Sequence, residues 1–173
     1  MSKLYDEIFK LKIELRKGWL VRNVCCKNRV ESDAEHCYSM TMLALEIMSK
    51  EKLNLNQEKV LKMIAYHEIG EIDFGDHTPY EGISKEEKYN AELKCVERIS
   101  NECNIPEMLE LWKEFEENST PEAKFVKKMD KLDCILQCKI YGDTCNNEEI
   151  CKEFEAVHKD LIEEFKDYVK KNS

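Results

Sequence analysis

Residues 120–141, TPEAKFVKKMDKLDCILQCKIY, form the stretch of sequence that decides the fold. Thr120 followed by Pro121 is a typical helix start, because threonine caps the first turn and proline is tolerated at the first helical position. Apolar residues then recur at intervals of three and four, the spacing that places them on one side of an α-helix. They are Phe125, Val126, Met129, Leu132, Ile135, Leu136, Ile140 and Tyr141. The pattern predicts a helix packed in the core.

The same spacing, together with capping residues, predicts further helices on both sides of this stretch. We expect them over residues 2–17, 32–50, 54–70, 84–102, from 105 onward, and over 147–171. Residues 18–32 and 73–84 break the pattern and are predicted to be loops. The chain has only 5 glycines and 3 prolines, too few for the many turns of a β-sandwich or barrel. We therefore predict an all-α fold, a compact bundle of about six or seven helices.

Composition bounds the class of protein. A length of 173 residues indicates one domain, residues 1–173. The net charge of −9 disfavours binding to nucleic acid or to an anionic membrane surface, where lysine and arginine supply the affinity. No apolar run is long enough for a transmembrane helix, and residues 1–7 have no apolar signal core. With an odd number of cysteines, nine, the chain is expected to be cytoplasmic with reduced thiols.

Histidines and acids at selected helix positions predict a metal site. His36 lies near the start of one predicted helix, and His67 with Glu68 lies late in another. Neutral imidazole and carboxylate groups suit a divalent first-row metal. Asp130 and Asp133 interrupt the apolar helix, where an acid is costly unless it is paired or binds a metal. The alternatives are histidines satisfied within the core and salt bridges to lysines of the same helix.

Other residues could act on a substrate. Glu71 follows His67 by four residues, so both lie on one helix face and Glu71 could take a proton from metal-bound water. Asp76 belongs to the clearest predicted loop and could simply form a turn. Arg22 could clamp a phosphate, and the indole of Trp19 could pack on a sugar or base. A structural role remains open for each of them.

Taken in order, these residues resemble the H…HD…D pattern of the HD-domain superfamily of metal-dependent phosphohydrolases. The detail is closest to its 5′-deoxynucleotidase and oxetanocin-like branch, which includes the HD domain-containing protein 2 type. The matching segments are GWLVRNV at 18–24, ESDAEH at 31–36, HEIGE at 67–71, GD at 75–76, SKEEK at 84–88 and EAKFVKKMDKLD at 122–133. The likeness covers about residues 8–142, the core motif region, and leaves the predicted C-terminal helix outside.

The resemblance implies a role for each of these residues. One divalent metal ion (Co, Mn, Mg, Zn, Ni or Fe) would be held by His36, His67, Glu68 and Asp130, with Asp133 as the alternative to Asp130. Glu71 would orient or deprotonate the attacking water, and Asp76 would assist at the phosphate or leaving group. Trp19 and Arg22 would line the nucleotide pocket.

The resemblance also implies an activity, release of phosphate from deoxynucleoside 5′-monophosphates, and a homodimer, for which the apolar side of the last helix could supply an interface. One departure from the family pattern is Glu68, where the family has aspartate. Glutamate is longer by about 1.5 Å, against a tolerance of about 0.2 Å in metal–ligand distance. Two alternatives therefore stay open: a phosphatase for another small monoester, and a catalytically weakened regulatory module that binds nucleotide or metal.

Overall fold

Helices make up most of the described chain, as expected. The structure, a computed structural model, describes residues 2–24, 29–78, 81–145 and 148–170. Eleven helical segments lie in these ranges: α1 (Lys3–Ile13), α2 (Lys17–Val21), α3 (Asp33–Glu51), α4 (Gln57–Tyr66), α5 (Glu71–Phe74), α6 (Lys85–Cys103), α7 (Pro106–Glu117), α8 (Pro121–Cys145), α9 (Glu148–Val157), α10 (Lys159–Glu164) and α11 (Lys166–Val169). Seven of them have ten residues or more. Among these helices, none combines the length and the apolar character needed to cross a bilayer.

The central helix is α8, which contains the apolar stretch quoted above. It packs against α3, α4, α7, α9 and α10. Val126, Met129 and Leu132 on its apolar side are completely buried. They belong to the main apolar cluster, which also contains residues of α3, α4 and α7. The predicted core helix is therefore the element around which the bundle is built.

Two capping boxes fix where the long helices α3 and α6 begin. The Ser32 hydroxyl accepts a hydrogen bond from the Glu35 backbone N–H, and the Glu35 carboxylate accepts one from the Ser32 N–H. Ser84 and Glu87 repeat this exchange at the start of α6. Ser32, not Asp33, is thus the cap of α3, and His36 lies in the first turns of that helix.

The amino-terminal region differs from the prediction. Helix α1 ends at Ile13, and Leu15 instead forms an antiparallel bridge with Ser32. The predicted loop that follows contains the short helix α2. Its first residue, Lys17, donates its backbone N–H to Asp76 Oδ2 at 2.5 Å. Because this partner comes from a distant loop, the local sequence does not reveal the start of α2.

Two other predicted helices are divided. The helix predicted over 54–70 ends at Tyr66, and α5 begins after a turn at Glu71. The predicted helix over 147–171 is three helices, α9 to α11, and residues 147 and 171 themselves lie outside the described residues. The breaks direct the apolar side chains of α9 and those of α11 into two different clusters.

A close approach of two backbones occurs at Gly70, just before α5. A Cβ atom added at Gly70 would lie 2.6 Å from Glu92 Cβ on α6, closer than carbon atoms pack. We expect Gly70→Ala to push α6 outward and to lower the free energy of unfolding by about 1–3 kcal/mol, measured by urea denaturation. Gly18→Ala is the control, because a Cβ there meets nothing within 4 Å. Equal stability of the two variants would contradict the prediction.

Candidate metal centre and catalytic site

The two predicted histidines and Glu68 meet at a buried point between α3 and the end of α4. The Nε2 atoms of His36 and His67 lie 3.7 Å and 3.3 Å from the same atom, Glu68 Oε1. One donor atom from each of the three residues lies within 4.8 Å of the other two. These donor atoms are close enough together to share one cation.

Asp130 and Asp133 approach His36 at different ring nitrogens. Asp130 Oδ1 lies 3.3 Å from Nε2, the nitrogen that faces Glu68. Asp133 Oδ2 lies 2.7 Å from Nδ1. A carboxylate on the outer nitrogen is the usual way to orient a metal-binding imidazole. Asp130 is therefore the acid on the side of the other donor atoms, and Asp133 is the acid that orients the ring.

The imidazoles have the free nitrogen atoms that a cation requires. Neither Nε2 atom forms a hydrogen bond with any described residue, although both are buried. His67 Nδ1 lies 2.7 Å from the carbonyl oxygen of Ile64, which can only accept a hydrogen bond, so Nδ1 carries a proton and Nε2 is the nitrogen that would bind a metal. A buried polar atom without a partner is costly, and a metal ion would remove that cost. These residues fit a divalent ion.

The charged groups around His36 and His67 also favour a bound cation. Burial and the charge of Arg16 lower the pKa of His36, but Asp130 and Asp133 outweigh them and raise it. Burial also lowers the pKa of His67, yet the charge of Glu68 raises it well above its usual value. Acids that overcome burial at both rings indicate an excess of negative charge, which a cation would neutralise.

Glu71 begins α5, beside this centre. Its Oε1 accepts a hydrogen bond from Lys88 Nζ at 3.0 Å, whereas its buried Oε2 has no hydrogen-bond partner in the described part of the chain. Burial and then the charge of Glu68 raise the pKa of Glu71 well above its usual range. One oxygen is thus held and the other can accept a proton. Nothing in the sequence singled out Lys88, except that it ends the matching segment 84–88.

Arg16 is a second site residue that the sequence pattern did not indicate. Its Nη1 donates to Glu68 Oε1 at 2.6 Å and lies 3.9 Å from Asp33 Oδ1. Asp33 is completely buried, and neither of its oxygens has a hydrogen-bond partner among the described residues. Burial and then the charge of Glu68 raise the pKa of Asp33 to about 8.

Asp76 connects the loop after α5 to the start of α2. Its contact with the Lys17 N–H fixes the backbone next to Arg16. The charge of Asp76 also raises the pKa of Glu71 and that of Arg16, so Asp76 lies near the site. The loop predicted around Asp76 therefore makes a structural contact with the start of α2 and also lies near Glu71 and Arg16 of the site.

Trp19 and Arg22 fasten α2 to the carboxyl-terminal half of the chain. Trp19 is 3% exposed, packs against aromatic rings of α8 and α9, and donates its Nε1–H to Glu31 Oε1 at 2.8 Å. Arg22 Nη1 donates to Glu153 Oε2 at 2.8 Å. The structure thus places both in contacts within the chain, and their contact with a nucleotide stays a prediction.

A second group of donor atoms lies on the other side of His36. Glu31, His36 and Asp133 also bring one donor atom each within 4.8 Å. However, Glu31 accepts the Trp19 N–H, and Asp133 is bound to His36 Nδ1. These hydrogen bonds explain the cluster without a cation.

The sequence of this chain is similar to those of known proteins. A family model described as HD domain matches residues 8–171. The chain is 36% identical over 137 residues to human 5′-deoxynucleotidase HDDC2. The aligned region covers 78% of this chain and 64% of the human protein. It is 36% identical over 157 residues to 5′-deoxynucleotidase hdd1 of Schizosaccharomyces pombe. That aligned region covers 86% of this chain and 76% of the yeast protein. The chain thus spans just under two thirds of the human relative's length.

The fold is also similar to that of a solved structure. A conserved hypothetical protein from Pyrococcus furiosus superposes with a TM-score of 0.76 at 30% identity, and 98% of each chain is covered. The family match includes every residue of the centre described above. The chain therefore belongs to the HD domain family.

Proposed function

We propose that this chain is a metal-dependent phosphohydrolase that releases phosphate from deoxynucleoside 5′-monophosphates. The observation that carries the proposal is the pair of buried, unpartnered imidazole nitrogens that face Glu68 Oε1. The relatives named 5′-deoxynucleotidases support the reaction and the substrate class.

In this proposal His36, His67, Glu68 and Asp130 hold one divalent ion. The candidates remain Co, Mn, Mg, Zn, Ni and Fe, and the imidazole donors favour the transition metals over Mg. When bound, such an ion lowers the pKa of water and places positive charge near the phosphoryl oxygens. Glu68 reaches the two imidazoles despite its extra methylene, which argues against the weakened regulatory module.

The chain's own residues supply the proton chemistry. Glu71 accepts the proton of the attacking water at Oε2, while Lys88 holds Oε1 and keeps the carboxylate in place. Asp76 holds the Lys17 N–H with Oδ2 and is proposed to assist at the phosphate or leaving group with its second oxygen. Trp19 and Arg22 are proposed to contribute to the nucleotide pocket.

A phosphate-release screen tests this function. Purified protein loaded with Mn²⁺ or Co²⁺ is expected to release phosphate from deoxynucleoside 5′-monophosphates faster than from ribonucleotides or sugar phosphates. Preference for another monoester would support the alternative phosphatase. Silence across the whole panel, in folded protein whose metal content is verified, would contradict the proposal and favour a binding module.

A homodimer belongs to the proposal as well. The predicted interface was the apolar side of the last helix, but Phe165 and Val169 pack into the chain's own core. Large apolar side chains are exposed instead on α3 and α8, where Met42 and Ile140 line one groove. We propose this surface for contact with a second copy. The cytoplasmic location stays a prediction.

A further inference from the structure

We infer that Arg16 is shared by two carboxylates: it pairs with Glu68 as the structure shows, and it moves to Asp33 when Glu68 binds the metal. In that second position its guanidinium becomes the residue that binds the phosphate dianion of a monoester. This inference rests on the proposed function, because it takes Glu68 as a metal ligand.

Arg16 competes with the metal for one atom. Its Nη1 lies 2.6 Å from Glu68 Oε1, the same oxygen that both imidazole Nε2 atoms approach. A divalent ion bound by the two imidazoles needs this oxygen as its ligand. Two cations in contact with one buried oxygen repel each other strongly in a medium of low dielectric constant. Arg16 must therefore leave Glu68 when the ion binds.

Asp33 offers the position to which Arg16 can retreat. Its carboxylate is completely buried and unpartnered among the described residues, which is costly for an acid. The closest cationic atom is the same Arg16 Nη1, 3.9 Å from Oδ1. A movement of about 1 Å would convert this distance into a charge-assisted hydrogen bond. Metal binding would thus give Asp33 the partner that it lacks.

The displaced guanidinium still faces the site. The Arg16 side chain is 14% exposed, so it is not sealed off from a ligand. Its Nη2 approaches Cys134 Sγ at 3.6 Å, and burial raises the pKa of that thiol to about 12, so Cys134 does not neutralise the arginine. A planar guanidinium released from Glu68 can bind two phosphate oxygens at once. Asp33 is then a positioning residue that acts through Arg16.

The distinctive consequence is an opposite effect on two ligands. Isothermal titration calorimetry with Mn²⁺ alone should show tighter metal binding to Arg16→Gln, by roughly 10-fold, because the competing cation is gone. Titration of inorganic phosphate into the Mn²⁺-loaded protein should show binding weaker by roughly 10- to 100-fold. Arg98→Gln is the matched control, since Arg98 also pairs with more than one acid, Glu7 and Asp73 among them, but is not one of the site residues. Its two affinities should equal those of the wild type.

Asp33→Asn tests the second half of the inference. It should weaken Mn²⁺ binding by roughly 10-fold, because Arg16 then has no second anionic partner, and it should have no effect on Mn²⁺ binding in the Arg16→Gln background. Circular dichroism verifies folding, and Arg16→Lys replaces Arg16→Gln if the latter does not fold. Lysine cannot bind two phosphate oxygens as guanidinium does, so phosphate affinity should still fall while Mn²⁺ affinity is kept. If either Arg16 variant leaves phosphate affinity unchanged, or if Arg16→Gln weakens both ligands, the inference is wrong. If the wild type does not bind Mn²⁺ at all, the proposed function itself is wrong.

Discussion

Glu71→Gln should lower the rate of phosphate release by about 10²- to 10⁴-fold, the usual contribution of a general base. Glutamine keeps the size and shape of the side chain, but it cannot accept a proton at the position of Oε2. The metal should stay bound, because Glu71 is not one of the four proposed ligands and one of its oxygens is held by Lys88. Single-turnover phosphate release and elemental analysis of the same sample measure the two quantities.

Glu92→Gln is the matched control for this experiment. Glu92 is also buried, has an oxygen without a hydrogen-bond partner in the described ranges, and lies 3.2 Å from Lys88 Nζ. Both substitutions remove one acid beside Lys88, but only Glu71 is the proposed proton acceptor. An equal loss of rate in the two variants would mean that the charge balance of Lys88, rather than a base at Glu71, determines the rate.

Local sequence patterns predicted most of the helices on which the proposed site residues lie. The capping box at Ser32 and Glu35 depends on residues three apart, and the apolar spacing of α8 depends on the same short range, so both were visible in the sequence. His36 and Asp130 could be placed on their helices for the same reason. Element type was therefore predicted well, whereas helix ends that depend on distant partners were not.

What the sequence could not show are contacts between residues far apart in the chain. Arg16 meets Glu68 across 52 positions, and the cap of α2 at Lys17 comes from Asp76 across 59 positions. The choice between Asp130 and Asp133 has the same origin. Three-residue spacing places both acids on one side of α8, but only the structure shows which ring nitrogen of His36 each one approaches.

Removal of a metal ligand should have the largest effect of any substitution in this chain. Glu68→Ala and His67→Ala each remove a donor atom, so Mn²⁺ affinity should fall by more than the 10- to 100-fold that loss of an outer partner of a ligand costs. Asp133→Asn provides that reference, because Asp133 contacts the outer nitrogen of His36. Titration calorimetry should therefore rank Asp133→Asn between the wild type and the two ligand variants.

Glu68→Asp separates the length of the ligand from its charge. Aspartate is the residue that the family pattern has at this position, but here the backbone holds a carboxylate whose Oε1 lies 3.3 Å and 3.7 Å from the two imidazole nitrogens. Shortening the side chain by about 1.5 Å should withdraw that oxygen and change the order of affinities among Mn²⁺, Co²⁺ and Zn²⁺, without simply raising the rate. Elemental analysis after dialysis against an equal mixture of the three ions measures this order. If Glu68→Ala kept its metal while Glu71→Gln lost it, Glu71 would be the ligand and Glu68 the proton acceptor.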